Sequence, residues 1–387
     1  MLGKQVANAI ASLSADALRV MTLELAHGNT IVEVHEGIQL AKPVDIAQLK
    51  AIPGIAEIIA NATVKESHLA IGSDVISWQT PPVENKFAKG AAYLSGVGYV
   101  PISEAKISVT DYGYRRSDAT YDVVSVWDGN FFRLDDHIAR FRRSMDGLRM
   151  HPPESNDDIK RILHEILRLS GLKNAYVAMD CLRGVPPPGA PRRTDFCAQY
   201  IICYCIPYAW LIAKDIQETR GAYIVTSKVP RIPDECVDPT IKNFHWGDLT
   251  KASFAAYDQG ADTAILLDQK GNLTEGPGFN ICLIHTSSTP IRVVTPERGC
   301  LLGVTRQSVI ELCEDMGFEC EVRAVPKEEM ERADEVFICT TAGGIMPISK
   351  VDGVDKCGGK PGPVTMAMRT RYWEKRAEGW HAEQISY

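Results

Sequence analysis

The chain has no cysteine before Cys181, no pair of cysteines at CxxC spacing and an odd total of 11 among its 387 residues. Most of these sit in apolar runs such as "ICYCIP" and "NICLIH". That pattern argues against a disulfide framework or a zinc site and predicts reduced, partly buried thiols in an intracellular protein. Long blocks of like charge are also absent, so neither a basic arm nor an acidic tail is expected. With a net charge of −7 and a pI near 5.8, no basic face is available for nucleic acid. The start, "MLGKQVANAIASLSADALRV", lacks the charged-then-apolar pattern of a signal peptide, and Asp16 is foreign to an Arg-rich transit peptide. The one long uncharged run, Phe196 to Ala213, is interrupted by Gln199 and Pro207 and reads as a buried strand entering a connector, not a membrane span. A cytoplasmic protein without membrane or nucleic-acid partners is the expectation, and no metal site is expected.

What is there is an ordinary globular composition, 45% hydrophobic and 24% charged, long enough for two cores. Residues 1–60 suggest a helix over Gln5 to Glu24, a strand at "NTIVEVHEG" and a second helix after Pro43, with no chemistry of their own. From "KGAAYLSGVGYVP" the texture turns to strand, and Asp128-Gly129 inside "TYDVVSVWDGNFFRL" predicts a hairpin. A helix capped by Asp135 or Asp136 should follow, burying Ile138, Phe141, Met145 and Leu148. Ser155 should open another helix that ends at Gly171. Strands are predicted at "NAYVAMDCL", in the uncharged run, and at "AYIVTS", "TAILLD" and "NICLIH". A last helix from about Thr305 should bury Val309, Leu312, Cys313 and Met316. The whole reads as α+β: an N-terminal extension over 1–60, a small α/β domain over 61–208, a connector over 209–214 and a larger domain over 215–387. A ligand cleft is expected between the two domains.

Several residues along this frame can carry chemistry. Lys242, in "DPTIKNFHWGD", reads either as a surface lysine on a loop or as a lysine held in a cleft. Glu275, followed by two glycines, reads as a solvated turn residue or as a buried anion for a cationic ring nitrogen. "GVTRQS" opens a helix with Gly303, Val304 and Thr305, where free amides and the dipole favour an anion. "TTAGGIMP" offers Thr340 and Thr341 beside two glycines as a second anion nest. Arg140 shares a helix with His137, Arg142 and Arg143 and is equally at home on a charged face. Together they make a coherent set, because pyridoxal phosphate needs an imine-forming lysine, an acid opposite its ring nitrogen and a phosphate cup.

"DPTIKN", "LTEGPGFNICLI", "GCLLGVTRQSV" and "EVFICTTAGGIMPI" resemble, in that order, the signature segments of the class IV pyridoxal-phosphate aminotransferases. The resemblance runs from about Lys86 to the C-terminus. It implies fold type IV, the two-domain fold of branched-chain and D-amino acid aminotransferases, with pyridoxal 5'-phosphate as cofactor and a homodimer as the assembly. It further implies that Lys242 links covalently to the cofactor, that Glu275 keeps the ring nitrogen protonated, and that Arg140, Val304, Thr305 and Thr341 hold the phosphate. "SDATYDVVSVWDGNFFRLDDHIARF" is similar to the (R)-selective amine transaminases, with Arg116, Tyr121 and Val123 at the matching positions. Tyr121 and Val123 are two apart and so share one face of a strand. The same resemblance implies that Thr340 and Ala342 border the substrate and that Arg183, on the proline-rich loop "RGVPPPGAPRR", swings in to receive a carboxylate. Arg192 or Arg193 are its possible substitutes. Adjacent Arg115 and Arg116, the latter where many relatives carry histidine, would favour a substrate carboxylate. The expected activity is amino transfer between an (R)-amine or D-amino acid and a keto acid such as pyruvate, in a ping-pong cycle through pyridoxamine phosphate. A branched-chain or D-amino acid aminotransferase is the alternative, with aminodeoxychorismate lyase further off. A cofactor-less binding protein on this fold is disfavoured, since each expected cofactor contact has a residue.

Overall fold

A computed structural model describes residues 85–387, which form one compact unit. Of residues 1–84 it describes only two short antiparallel strands, Leu23–Glu24 and Ile31–Val32. The second falls in the strand read at "NTIVEVHEG", and the first stands where the reading had the end of a helix. The rest of that helix, the helix after Pro43, the role of the 1–60 extension and residues 61–84 of the small domain lie outside the described residues.

Nearly half of the compact unit is an antiparallel sheet covered on one side by two helices. Its strands are β1 (Ala91–Leu94), β2 (Gly98–Pro101), β3 (Ala119–Trp127), β4 (Asn130–Phe132), β5 (Ala175–Leu182) and β6 (Tyr200–Pro207). A five-residue helix α1 (Tyr112–Arg116) precedes β3, and α2 (Leu134–Gly147) and α3 (Asn156–Ser170) lie between β4 and β5. The hairpin from β3 to β4 turns at Asp128 and Gly129, both with positive φ of 48° and 72°, as a two-residue turn of this hand requires. Period-two alternation then divides β3. Val124 and Val126 face the helices and pack with Ile138, Phe141 and Met145 of α2 and Leu163 and Ile166 of α3. Tyr121 and Val123 face the other way.

α3 begins at Ser155 with a reciprocal capping box to Asp158 and stops at Gly171, as its sequence predicts. α2 differs at its start. Arg133, not an aspartate, occupies the cap position, and Asp136 instead accepts a hydrogen bond from Arg133 Nε at 2.7 Å. Both aspartates fall in the first turn, where the helix dipole favours negative charge without any capping contact.

The chain leaves this sheet at Pro207 and enters a second, nine-stranded sheet after α4 (Lys214–Glu218). In chain order its elements are β7 (Ala222–Thr226), α5 (Gly247–Tyr257), β8 (Thr263–Ile265), β9 (Glu275–Gly276), β10 (Phe279–His285) and β11 (Arg292–Pro296). There follow α6 (Val304–Asp315), β12 (Glu319–Arg323), α7 (Lys327–Arg332), β13 (Glu335–Thr340), β14 (Gly344–Val351), β15 (Val354–Asp355) and α8 (Pro363–Ala377). The strand order is β8-β7-β14-β13-β10-β11-β12, with β9 paired on β10 and β15 on β14; only β7/β8, β7/β14 and β11/β12 are parallel. Ile281, Leu283, Ile338 and Ile348 build the core on one side, while Cys282, Phe337, Val309 and Leu312 pack on the other. The last strand, β16 (Ala382–Gln384), returns to pair with β4 of the first sheet. The C-terminus therefore belongs to the first sheet in space, a return that the strand patterns do not announce.

Candidate active site

Lys242 is anchored by its backbone to the first sheet. Its N–H donates to Ser144 Oγ at 3.1 Å, and its carbonyl accepts from Thr120 Oγ1 at 2.6 Å and Tyr121 N at 3.1 Å. The side chain is left to reach into a cavity of about 480 Å³ where both sheets contribute walls. Its Nζ lies 4.2 Å from the centre of the Tyr121 ring and has no carboxylate within ion-pair distance among the described residues. Burial, with help from the Arg140 guanidinium, lowers its pKa to about 8 against the pull of Asp122 and Glu275. Within a loop of ordinary composition, this is a lysine that its surroundings make easier to deprotonate.

Glu275 opens β9 and is buried. One carboxylate oxygen accepts from Arg231 Nε and Nη2 at 3.2 and 3.0 Å; the other accepts from the Leu301 amide at 2.9 Å. Burial pushes its pKa up, and Arg231 and the Leu301 amide pull against that shift. Arg231 in turn donates to Asp248 Oδ2 at 2.6 Å, so one guanidinium answers two buried acids.

Arg140 lies on the α2 face that meets β3. Alternation turns Asp122 toward that helix, and Arg140 grips it with Nε and Nη2 at 2.7 and 2.8 Å while Nη1 donates to the Leu302 carbonyl at 3.2 Å. His137, one helical turn earlier, places Nδ1 2.8 Å from Asp122 Oδ1. Burial alone would raise the Asp122 carboxyl, but Arg140 and His137 hold it well below the usual carboxylate range. Burial lowers the pKa of His137.

The α6 N-terminus closes this side of the cavity. Gly303 is its cap position, no side chain caps the first turn, and Gly303, Val304 and Thr305 border the cavity. A Cβ on Gly303 would fall 2.0 Å from Asn280 Oδ1, so only glycine lets the turn sit this close to β10. Thr340, Thr341 and Ala342 form the rim at the end of β13, with the Thr341 carbonyl accepting from Tyr208 OH and the Ala342 carbonyl from the Leu211 amide.

Ten expected site residues thus border a single cavity: Tyr121, Val123, Arg140, Lys242, Glu275, Val304, Thr305, Thr340, Thr341 and Ala342. Arg116 and Arg183 do not. Arg116 is exposed and stacks 3.6 Å over the Tyr112 ring. Arg183 is buried, held by both Asp118 oxygens at 2.9 Å and by the carbonyls of Leu148 and Arg149 at 2.6 and 3.0 Å. Arg192 and Arg193 are exposed, and Arg193 pairs with Asp195. Sequence reasoning missed Arg231, Asp248, Asp122 and the wall residues Tyr176 and Trp210. Asp122 carried a usable signal, an acid on the helix side of an apolar strand opposite His137 and Arg140; Arg231 carried none.

The arrangement suits pyridoxal phosphate: a desolvated, unpaired lysine, a buried acid, and an arginine beside an uncapped helix start. Residues 119–351 match the family of amino-transferase class IV. The chain belongs to that family. It is a pyridoxal-phosphate-dependent aminotransferase of fold type IV. Among curated relatives, a putative branched-chain-amino-acid aminotransferase of Methanocaldococcus jannaschii is 29% identical over 74% of this chain and 96% of its own length. The D-alanine aminotransferase of Bacillus licheniformis is 29% identical over 69% and 91%. The branched-chain amino acid aminotransferase from Thermobaculum terrenum, solved in its PLP form, superposes with a TM-score of 0.69 at 25% identity, covering 78% of this chain and all of that one. A second branched-chain amino acid aminotransferase, solved with pyridoxamine 5'-phosphate, gives 0.70 at 25% identity over 77% and 99%.

Proposed function

We propose that this aminotransferase moves an amino group from a chiral (R)-amine or a D-amino acid to a 2-keto acid such as pyruvate, in two half-reactions. The observation that carries the reading is the wall above Lys242. Tyr121 and Val123 stand side by side on one face of β3, with Tyr176, Ile206 and Trp210 completing an apolar surface. Arg140 and Arg231 are the guanidinium groups lining the cavity among the described residues, and each is already engaged by a carboxylate. Such a wall suits an uncharged substituent better than a free carboxylate.

Bound in this cavity, the cofactor supplies an electron sink that acidifies the substrate Cα. Lys242 Nζ, its pKa lowered by burial to about 8, is suited to take the Cα proton and return it. Glu275, anchored by Arg231 and Leu301, would hold the ring nitrogen protonated. Arg140, Val304, Thr305 and Thr341 would hold the phosphate, and Thr340 and Ala342 would border the substrate. We further propose that the enzyme is cytoplasmic and a homodimer; sedimentation would read the assembly.

The second reading, a branched-chain or D-amino acid aminotransferase, draws on the names of the relatives above. Half-reactions with (R)-1-phenylethylamine, D-alanine and L-leucine, followed by the cofactor's absorbance, separate the two. Discharge by the first is expected; discharge by L-leucine alone would overturn the (R)-amine reading.

A further inference from the structure

The helix that carries Arg140 also carries a seat for the Lys242 loop. His137, Arg140, Ser144 and Gly147 follow one another at spacings of three, four and three residues and so form one row along α2. Arg140 and His137 meet Asp122 of β3, and Ser144 meets the lysine loop. Ser144 is buried beside the core residues Phe141 and Met145, where an apolar side chain would pack better. Its hydroxyl instead accepts the Lys242 N–H at 3.1 Å. From the other side, Thr120 and Tyr121 of β3 donate to the Lys242 carbonyl at 2.6 and 3.1 Å. The lysine's backbone is thus pinned to the same helix and strand that the Arg140–Asp122 pair ties to each other.

Gly147 completes the seat. It is the last residue of α2 and its φ is not in the left-handed region, so its backbone does not demand glycine, a poor helix former. A Cβ there would fall 2.5 Å from Ile241 Cδ1 and 3.0 Å from Ile241 Cγ1. The missing side chain therefore leaves room for the residue that precedes Lys242 to lie against the helix. A cofactor gripped by Arg140 at its phosphate and by Lys242 at its aldehyde is held at two points, and the second grip adds affinity only where the spacing matches. Arg140 and Ser144 are four residues apart on one helix, a fixed rise of about 6 Å.

We propose that Ser144 and Gly147 are positioning residues: they set the Lys242 loop against the helix that carries Arg140, so that amine and guanidinium reach the two ends of one cofactor together. This inference rests on the cofactor roles proposed above for Lys242 and Arg140.

The test measures how strongly the full-length apoenzyme prefers pyridoxal 5'-phosphate to pyridoxal, which has the aldehyde but no phosphate. Binding is read from the absorbance change as the Lys242 amine condenses with the aldehyde and releases water, and melting temperature reports folding. The wild type should prefer the phosphate ester on the order of 1,000-fold, and Arg140→Ala should remove most of that preference. Ser144→Ala leaves the Lys242 N–H without its acceptor, and Gly147→Val forces Ile241 off the helix. Each should lower the preference about tenfold, through weaker binding of pyridoxal phosphate with pyridoxal nearly unchanged. Gly147→Ala should fall between wild type and Gly147→Val, and adding Ile241→Ala to Gly147→Val should recover most of the loss. A wild-type preference in Ser144→Ala and Gly147→Ala overturns the proposal. So does equal weakening of both aldehydes, which is what a merely structural role would give. If Gly147→Val does not fold, Ser144→Ala and Gly147→Ala still decide. If Arg140→Ala keeps the wild-type preference, the phosphate role fails and takes the proposal with it. Loss in Arg140→Ala alone sinks the proposal and leaves that role standing.

Discussion

Asp122 holds Arg140 by two hydrogen bonds, at 2.7 and 2.8 Å, from a strand whose next residue turns to the opposite face and lines the cavity. The carboxylate thereby fixes the plane of the guanidinium that is proposed to hold the phosphate. Asp122→Asn keeps the volume but cannot accept from both guanidinium nitrogens or balance the buried charge. Spectral titration of the apoenzyme should show pyridoxal phosphate bound about 10-fold or more weakly. Denaturant unfolding should show a loss of about 3 kcal/mol, since a buried guanidinium would be left without its counter-charge. Unchanged cofactor affinity would mean that Arg140 is not held for the phosphate.

Lys242 should cost the apoprotein stability. Its folded-state pKa of about 8 is below the ordinary lysine value, so the sign is that of a buried cation with no partner. Below pH 8 the lysine is protonated in both folded and unfolded chains and the full penalty is present. As pH rises from 8 toward the ordinary lysine range, the folded chain binds fewer protons than the unfolded one, and stability climbs. Lys242→Met should therefore stabilise the apoprotein by about 3 kcal/mol at pH 7, with the gain shrinking by pH 10. Chemical denaturation of both proteins at the two pH values checks this, and a constant difference would contradict it.

How much of this was legible in the sequence follows from the range of each interaction. The turn at Asp128-Gly129, the Ser155 cap and the helix opened by Gly303 are local, and they stand where their residues predict. The gathering of Lys242, Glu275 and Arg140 in one cavity followed the resemblance in motifs, since no spacing rule brings residues 33 positions or more apart together. Arg231 was invisible for the opposite reason. An arginine between proline and isoleucine has no pattern, and only the fold shows that it answers both Glu275 and Asp248. Arg183 was read for its loop, whereas its carboxylate partner is 65 positions upstream and its carbonyl partners end a different helix.

Arg183 ties the start of the proline-rich loop to Asp118 and to the carbonyls of Leu148 and Arg149. Removing it leaves Asp118 without its cation and two carbonyls without a donor. Arg183→Ala should thus lower stability by about 2–3 kcal/mol. Turnover with pyruvate and the half-reaction with an uncharged amine should fall by similar factors. A loss confined to pyruvate would show that the arginine leaves this tether to receive a carboxylate.

Glu275 separates charge from shape in the cofactor cradle. Glu275→Gln keeps an oxygen for the Leu301 amide or for Arg231 but removes the negative charge, and Arg231 still has Asp248. The fold should survive, and the cofactor should still be taken up by Lys242. The amine half-reaction should slow about 100-fold, because an uncharged amide cannot stabilise a protonated ring nitrogen. Stopped-flow absorbance with (R)-1-phenylethylamine measures that step. The loss should be in the limiting rate and not in the concentration of half-saturation, since Glu275 is proposed to act on the cofactor ring and not on the donor. A Glu275→Gln protein that reacts at the wild-type rate would show that the ring nitrogen is held by another group.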